Sequence, residues 1–337
     1  MNILFICKKR YSYGINNDVN SFGLINSAKL VCNYLSDFGI RCKAIIVNDA
    51  NDIDREVSNY NPSHVILEAL WVTPDKMREI VKLHQNRKWI IRLHSRIPFL
   101  SYEGIAIEWI HEFINHKFLK RHIKIASNSY STVRELSHLL KTNLIYLPNL
   151  YPISWKNKVF KENGDIINIG SFGSIRPLKN TLIQAIAAIK FADKIGKKLY
   201  FHINEKTEQH ADGVLKNLRN LFKYQSNHTL VEHEWYEYDK FIDVLNNMDL
   251  GMQVSYSETF NIVIADFVNN NIPVVVSHEI YWLPEYAKTN TNSVNDIYRT
   301  LRSVWRFRFL GETFINKLYL RFYNKSSEKK WLKFLDI

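Results

Sequence analysis

The sequence predicts an α/β protein built from two doubly wound domains in tandem. Short, nearly continuous apolar runs alternate with helical patterns, which is typical of parallel sheets covered by helices on both faces. The alternation stops in a polar stretch near residues 148–165 that contains two prolines, and then starts again. The chain has 337 residues, more than the roughly 250–300 at which single cores usually split.

In the first half, apolar runs predict strands, and a helix with one apolar face follows the first run. That face carries Leu24, Ala28, Val31, Cys32 and Leu35. We expect this domain to end near residue 150, where the prolines break the pattern. The predicted strands cover residues 3–7, 42–47, 64–67, 89–93, 123–126 and 144–147.

The second half repeats this organisation, and we expect its domain to cover residues 151–315 and a terminal helix to cover residues 316–337, packing back toward the first domain. Doubly wound domains bind ligands at the carboxyl ends of their strands, so we expect the two domains to face each other across a cleft. Strands are predicted at 166–169, 199–203, 229–231, 250–254 and 273–276, and helices at 178–195, 238–246 and 262–269.

Composition narrows the class of protein. Cys7, Cys32 and Cys42 lack paired spacing, so a reducing cytoplasm is expected rather than a secreted disulfide framework. No apolar run reaches the ~18 residues of a membrane span, and the apolar start is too short for a signal peptide. The net charge of +12 indicates a polyanionic partner, either nucleic acid or an anionic membrane. An AT-rich coding sequence would also enrich lysine.

Residues 257–266 form the most informative segment, because they follow a predicted strand and open a predicted helix. Such a helix start presents backbone N–H groups to an anion, and a diphosphate fits there. Glu258 would stand at its mouth, and Asp266 would lie two turns into the helix. The alternative is that Ser257 and Glu258 merely cap the helix.

A second segment, residues 170–180, also follows a strand and precedes a helix. It contains Gly170 and Gly173 for a tight turn, and Arg176 and Lys179 as cations for a phosphate. The alternative is a surface turn with solvated cations.

The two segments, in this order, resemble the donor-binding half of retaining glycosyltransferases of the GT-B fold, especially family four. Lys179 and Asn180 match the end of the family's glycine-rich turn, whereas Ser174 stands where the family usually has Arg, so Arg176 would substitute. Residues 258–261 match the family's Glu-Gly-Phe-Gly with both glycines lost, and Asp266 replaces its second Glu.

This resemblance implies a retaining enzyme that uses a nucleotide-sugar, with a UDP-sugar expected. Glu258 would contact hydroxyls of the donor sugar, and Asp266 would hold the ribose hydroxyls. The amides of the intervening residues would hold the phosphates. Outside this segment, Gly14 matches the glycine of a loop under the diphosphate. The donor-binding residues expected are Gly14, Gly173, Arg176, Lys179, Glu258, Thr259, Phe260, Asn261, Ile262 and Asp266.

His94 ends a predicted strand of the first domain and resembles the histidine that such enzymes place beside the donor sugar. We therefore predict His94 and Glu258 as catalytic residues. The alternative for His94 is a structural role at the strand end.

We expect no metal requirement. Asp52 and Asp54 have the spacing of a metal-binding pair, but a solvated polar loop explains them better. No His, Cys, Asp and Glu residues have metal-ligand spacing. The helix dipole, Arg176 and Lys179 would stabilise the leaving diphosphate in place of a cation.

The acceptor is less constrained, and three classes compete. Residues 94–100 with Glu103 and Gly104 resemble phage-encoded members of the superfamily that glycosylate hydroxymethyl or hydroxy pyrimidines in double-stranded DNA. Basic residues interleaved with aromatics in residues 299–333 fit such a partner. We favour DNA, which would place the enzyme in the cytoplasm of a phage host.

The alternatives are a glycan assembled at an anionic membrane and a non-catalytic sugar-nucleotide or DNA-binding module. An apolar helical face over residues 108–124 fits a membrane surface, and equally an ordinary core helix. No obligate protein partner is predicted.

Overall fold

The structure is a computed structural model that describes residues 1–9, 22–102, 104–155, 164–205 and 212–337. Gly14 and Glu103 lie outside the described residues. Contacts group the chain into two compact units. The first unit comprises Met1–Pro152 and Asn324–Ile337, and the second comprises Ile153–Tyr323.

The first unit contains a six-stranded sheet in the order β2-β1-β3-β4-β5-β6, in which every pairing is parallel. The strands are β1 Asn2–Lys8, β2 Arg41–Val47, β3 His64–Glu68, β4 Lys88–Leu93, β5 Ile123–Ser127 and β6 Ile145–Tyr146. The helices are α1 Phe22–Ser36, α2 Asp52–Tyr60, α3 Pro74–Leu83, α4 Ile97–Leu100, α5 Ala106–Asn115, α6 Lys117–His122 and α7 Tyr130–Leu139.

Both faces of this sheet are buried, which explains its continuous apolar strands. Successive side chains of a strand point to opposite faces. Leu4 and Ile6 of β1 accordingly lie in one core cluster, whereas Ile3 and Phe5 lie in another. Trp331 completes the second cluster, with its ring 5.9 Å from that of Phe5.

The second unit contains another six-stranded parallel sheet, in the order β12-β11-β10-β7-β8-β9. Its strands are β7 Ile166–Gly170, β8 Lys198–Asn204, β9 Thr229–His233, β10 Leu250–Gln253, β11 Val274–Ser277 and β12 Lys288–Thr289. Its helices are α8 Thr181–Lys194, α9 Asp212–Lys223, α10 Tyr238–Leu245, α11 Ile262–Asn269 and α12 Val294–Phe307, followed by α13 Glu312–Leu335.

Helix α13 begins at Glu312 rather than at residue 316, because Gly311, at φ +86°, makes the turn that ends the preceding segment. Its residues up to Tyr323 belong to the second unit, and those from Asn324 belong to the first. In the described parts of the chain, no helix is both long and apolar enough to cross a bilayer.

One local expectation is wrong, and one pair of alternatives is decided. Asp52 and Asp54 lie in the first turn of α2, not in a loop, and acidic residues are favourable there because of the helix dipole. The apolar pattern over residues 108–124 is split into α5 and α6, because His116 is extended and its side chain caps α6 at the Leu119 N–H. Ile110 on this face is buried in the core, so the pattern indicates packing rather than a membrane-surface helix.

The strand orders place a switch point in each sheet. In the first sheet the order reverses between β1 and β3, and in the second between β7 and β10. Ligands of open parallel sheets bind beyond the carboxyl ends of the strands at such a point. In the second unit, those ends lead into the two segments with the predicted donor-binding residues.

Candidate functional site

A cluster of polar side chains lies where β7 and β10 end. The Lys179 Nζ is 2.6 Å from the Glu258 Oε1 and 3.2 Å from the Gln253 Oε1. The Gln253 amide nitrogen donates to the Phe172 carbonyl at 2.6 Å. The side chains of Lys179 and Glu258 are both largely removed from solvent. The structure thus brings together the two segments on which the prediction of a donor site rests.

The environment of Glu258 keeps its carboxyl ionised. Burial by itself would raise the pKa of Glu258, but the charges of Lys179 and Arg176 outweigh burial and lower that pKa. An ionised carboxylate is an acceptor only. Glu258 can therefore accept hydrogen bonds from the hydroxyls of a ligand.

Helix α11 begins with an unusual N-cap. Asn261 has φ +61°, in the left-handed region, which Asn visits more readily than other residues with a side chain. Its Oδ1 accepts from the Ile264 N–H at 3.0 Å, and its Nδ2 donates to the Gln253 Oε1 at 3.2 Å. The cap is therefore Asn261 rather than Ser257 or Glu258, and it occupies a position where the resembling family has glycine.

The first two amides of α11 have no partner within the helix. The first intrahelical hydrogen bond runs from Ala265 to the Asn261 carbonyl, and Asn261 already caps Ile264. The N–H groups of Ile262 and Val263 thus belong to the unsatisfied donors of the helix start. Together with the helix dipole they form a place for an anion.

Close packing brings α11 onto the sheet. A Cβ on Gly251 of β10 would lie 2.7 Å from the Phe267 ring of α11, and a Cβ on Gly170 of β7 would lie 3.0 Å from it. Only glycine fits at both positions, because neither the strands nor the ring can move away cheaply. These two glycines therefore fix the helix start beside the ends of β7 and β10.

The turn after β7 is equally well fixed. Asn180 follows Lys179 and has φ +56°. Its side-chain Nδ2 donates to the carbonyls of Val254 and Thr291 at 3.0 and 2.8 Å. The Gln184 side chain donates to the Lys179 carbonyl at 2.7 Å and accepts from the Val254 N–H at 2.9 Å. These contacts hold the backbone of Lys179 against the end of β10.

The other residues of the first segment have defined places too. Gly173 has φ +116°, and its N–H donates to the Asn204 side chain at 2.8 Å. A Cβ there would approach the Lys179 side chain at 3.9 Å. Arg176 is half-buried, and its charge contributes to the low pKa of Glu258.

The donor contact predicted for Phe260 involves its backbone amide, and its side chain packs elsewhere. Its side chain is buried, with ring centroids 5.5 Å from Trp282 and 5.1 Å from Tyr323. The Trp282 indole N–H donates to its carbonyl at 2.7 Å. Phe260 therefore anchors the segment in the core, and only its backbone is placed to contact a ligand. Its neighbours Thr259 and Ile262 are both half-buried.

Asp266 lies in the second turn of α11 and is buried. The Tyr238 hydroxyl, at the start of α10, donates to its Oδ1 at 2.9 Å. A ribose bound by Asp266 would add to this contact or replace it. The sequence patterns did not single out Tyr238.

In the first unit, His94 directly follows β4 and belongs to a buried polar network. The Arg92 Nη1 is 3.0 and 3.1 Å from the two Glu68 oxygens, and its Nη2 donates to the Asn149 Oδ1 at 2.5 Å. The Arg92 Nε donates to the Leu147 carbonyl at 2.8 Å. Burial is the largest influence on Glu68 and would raise its pKa, but the charge of Arg92 and the interactions with His94, together with the hydrogen bonds from both side chains, lower that pKa below its usual value.

Both ring nitrogens of His94 have partners in this network. Its Nε2 contacts the Glu68 carboxylate, which only accepts hydrogen bonds, so Nε2 carries the hydrogen. Its Nδ1 then accepts from the Asn128 Nδ2 at 3.2 Å. Burial lowers the pKa of His94, Glu68 opposes that shift and Arg92 adds to it. The imidazole is therefore neutral near pH 7.

Glu68, Gln253 and Asn149 are members of these clusters that the sequence patterns did not predict. One signal was available for Glu68, since a carboxylate at the end of an otherwise apolar strand needs a partner. Within the residues described, no group of three or more His, Cys, Asp and Glu side chains could hold a metal ion.

Comparisons with known proteins bear on this architecture. No family model matches the sequence, and no curated protein is similar to it. A glycosyltransferase from Rickettsia africae ESF-5 is similar in structure, with a TM-score of 0.63, 14% identity and 98% of both chains covered. A UDP-forming α,α-trehalose-phosphate synthase from Burkholderia xenovorans has a TM-score of 0.67 at 10% identity, covering 100% of this chain and 98% of its own.

A third similar structure is a mutant of TarM from S. aureus in complex with fondaparinux, α-GlcNAc-glycerol and UDP. Its TM-score is 0.60 at 15% identity, and the match covers 80% of this chain and 54% of TarM. At these identities the likeness concerns the fold. The chain has the two-domain α/β fold of GT-B glycosyltransferases, as the sequence resemblance predicted.

Proposed function

We propose that this protein is a glycosyltransferase that moves a sugar from a nucleotide-sugar to a hydroxyl acceptor with retention of configuration. The donor that we propose is a UDP-sugar. The observation that carries the proposal is the Lys179–Glu258 pair beside the start of α11, at the switch point of the second sheet. Two structures of the same fold support the choice of nucleotide, since one is described as UDP-forming and another is a complex with UDP.

Each part of the donor would be bound by a different group of residues. The amides of Ile262 and Val263, together with Arg176 and Lys179, would hold the diphosphate. Glu258, ionised, would accept hydrogen bonds from hydroxyls of the sugar, and Asp266 from those of the ribose. Donors fixed before the reaction stabilise the charge that develops on the leaving group without having to reorganise. No metal ion is assigned to the site.

In the transfer, the acceptor oxygen forms a bond to the anomeric carbon while the bond from that carbon to the phosphate oxygen breaks. The electron pair of the broken bond stays on the nucleoside diphosphate. The acceptor proton passes to an oxygen of this leaving group on the same face of the sugar, so no separate base is assigned. A proton-transfer role for His94 would require its contact with Asn128 to open.

The acceptor has two candidates. A modified pyrimidine in double-stranded DNA, which the sequence favours, is supported by Lys329, Lys330 and Lys333 on the exposed side of α13. Two aromatics of the same stretch, Tyr323 and Trp331, are buried and cannot stack on bases. A glycan at an anionic membrane is the second candidate, supported by exposed apolar residues in the first half of α13.

Titration calorimetry with UDP and UDP-sugars tests the donor site directly. We expect Asp266→Ala to weaken UDP binding roughly ten- to a hundredfold, because a buried hydrogen bond to a charged group is worth about 1.5–3 kcal/mol. NMR of the product should show the anomeric configuration of the donor. Unchanged UDP affinity in the variant removes the donor site, and an inverted product removes the mechanism.

Two further measurements separate the acceptors from a non-catalytic role. Nucleosides from DNA co-expressed with the protein should carry an added sugar mass if DNA is the acceptor. Binding to duplex DNA should also weaken with salt, with a log–log slope of about −0.9 per phosphate contact. A protein that binds UDP-sugars but never hydrolyses or transfers them is a binding module.

A further inference from the structure

A surface of the second unit exposes large apolar side chains to solvent. It is formed by residue 155, the last turn of α12, the connection between α12 and α13, and the first three turns of α13. We call it the aromatic–arginine surface. Its apolar members, each more than a third exposed, are Trp155, Phe307, Phe309, Leu310, Phe314, Ile315, Tyr319 and Phe322.

Helix α13 carries large apolar side chains beyond its buried side in these turns. Successive residues of a helix are about 100° apart, so the exposed Phe322 lies almost opposite the buried Leu320. Ile315 and Tyr319 lie between Phe322 and the buried Tyr323, and with Phe322 they form an exposed stripe. An amphipathic surface helix needs only the buried side to be apolar. Packing within the unit therefore does not account for the exposed stripe.

Contacts within this surface hold its rings together. The rings of Trp155 and Phe314 are 5.8 Å apart. The Arg308 guanidinium lies 3.6 Å from the centre of the Trp305 ring and 4.1 Å from that of Phe309. The connecting segment thus forms a stack of one cation and two aromatic rings rather than a loose loop.

The charge of this part of the chain is one-sided. Between residues 300 and 327 the only carboxylate in the sequence is Glu312, which is buried. Lys317 also faces inward, where it donates to the Ser154 carbonyl at 2.7 Å. The cations with solvent exposure are Arg302, Arg306, Arg308, Arg321 and Lys325.

We propose that the aromatic–arginine surface docks on an anionic membrane, with Phe309, Leu310 and Phe322 at the boundary between headgroups and acyl chains. Aromatic rings favour this interface, aliphatic side chains favour the acyl region and arginines bind anionic headgroups. A second copy of the chain fits poorly, because equal arginine surfaces would repel each other. Nucleic acid would stack on the rings, but it offers no apolar contact to the aliphatic Leu310, which is the most exposed member of this surface at 74%.

The inference goes beyond glycosyl transfer, since docking requires neither donor nor acceptor. Co-sedimentation of the full chain with phosphatidylcholine vesicles that contain or lack about 30% phosphatidylglycerol tests it. The two kinds of vesicle differ in surface charge, and anionic lipid attracts cations near the membrane. We expect binding to the anionic vesicles alone, weakening as salt rises. Leu310→Glu with Phe322→Glu should reduce the affinity at least about tenfold, because a charge replaces apolar contact.

Leu83→Glu is the matched control, because Leu83 is 66% exposed in the first unit, comparable to Leu310 at 74% and Phe322 at 64%. It should bind vesicles like the wild type. If the double variant does not fold, Arg306→Glu with Arg321→Glu tests the same surface and should abolish binding.

Several results would overturn the proposal. These are no binding to anionic vesicles, equal binding by the surface variants, or variants that instead lose a dimer in sedimentation or lose DNA binding. UDP calorimetry on the same preparations keeps this test separate from the donor site, because a protein that binds UDP but not vesicles contradicts the docking alone.

Discussion

The two units place polar clusters at equivalent ends of parallel sheets, but the clusters differ in how their charges are satisfied. In the first unit, Arg92 has Glu68, Asn149 and the Leu147 carbonyl as partners, and both charged side chains are fully buried. In the second unit, the side chains of Lys179 and Glu258 remain 14% and 7% exposed, and they pair next to helix-start amides that have no partner within their helix.

This is the difference that we expect between a structural network and the proposed donor site. A charge pair that is fully enclosed and hydrogen-bonded on all sides fixes a strand end but offers nothing to a ligand. A pair that keeps some access, beside N–H groups that lack acceptors in their helix, can exchange its internal contacts for those of an anion. The same topology therefore yields an enclosed charge network in one unit and a partly accessible charge pair, the proposed donor site, in the other.

The largest expected effect on activity is that of Glu258→Ala. We expect turnover to fall by more than about a thousandfold, because the change removes the contact to the sugar and leaves Lys179 without its counter-charge. Initial rates at saturating donor measure this. Arg219→Ala, which breaks an exposed pair with Glu232 in the same unit, is the control and should retain full activity. Wild-type turnover in Glu258→Ala would contradict the assignment.

Glu68→Ala should have the largest effect on folding. Removing one partner of a buried ion pair costs about 3–5 kcal/mol, because Arg92 would remain charged in the core. Urea denaturation measures the loss in the free energy of unfolding. Glu79→Ala, which breaks the exposed pair with Lys76, should cost at most about 1 kcal/mol. A loss as small for Glu68 would show that the network is not structural.

A third buried glutamate should differ from Glu68 and Glu258 in how it makes the free energy of unfolding depend on pH. Glu312 is buried, neither carboxylate oxygen has a hydrogen-bond partner among the described residues, and burial raises its pKa to about 8. An unfolded Glu has a pKa of about 4.3. Between these values the folded state binds more protons, so the free energy of unfolding falls as pH rises from about 4.3 to about 8.

Glu312→Gln removes this titration. Relative to the wild type, the variant should gain stability between about pH 5 and about pH 8.5, as measured by urea denaturation at both values. Glu68 and Glu258 act in the opposite direction, because their pKa values are lowered and their contributions are lost only on acidification. An equal pH response of wild type and variant would mean that Glu312 is solvated or paired in solution.

The smallest expected effect concerns metal. If Arg176, Lys179 and the start of α11 stabilise the leaving diphosphate, EDTA should change the rate by less than about twofold, because no cation takes part. Activity assays with and without the chelator measure this. Loss of activity that manganese or magnesium restores would place a metal ion at the diphosphate.

Much of the second unit could be predicted from local patterns. Its Rossmann-type order follows from alternating strands and helices, and residues 170–180 and 257–266 follow their strands as expected. The first unit was harder, because Glu68, Arg92, Asn128 and Asn149 are far apart in the chain. Only the parallel pairing of β3, β4 and β5 brings the first three together.

The sequence by itself determined the fold class, most strand positions and the places of the two polar segments after their strands, because hydrophobic period and turn residues are local signals. Tertiary structure decided which polar residues are satisfied. It enclosed Arg92 with Glu68, and it turned Phe260 into the core. It also left one apolar side of α13 exposed. Burial and pairing depend on neighbours from distant segments, so no local pattern contains them.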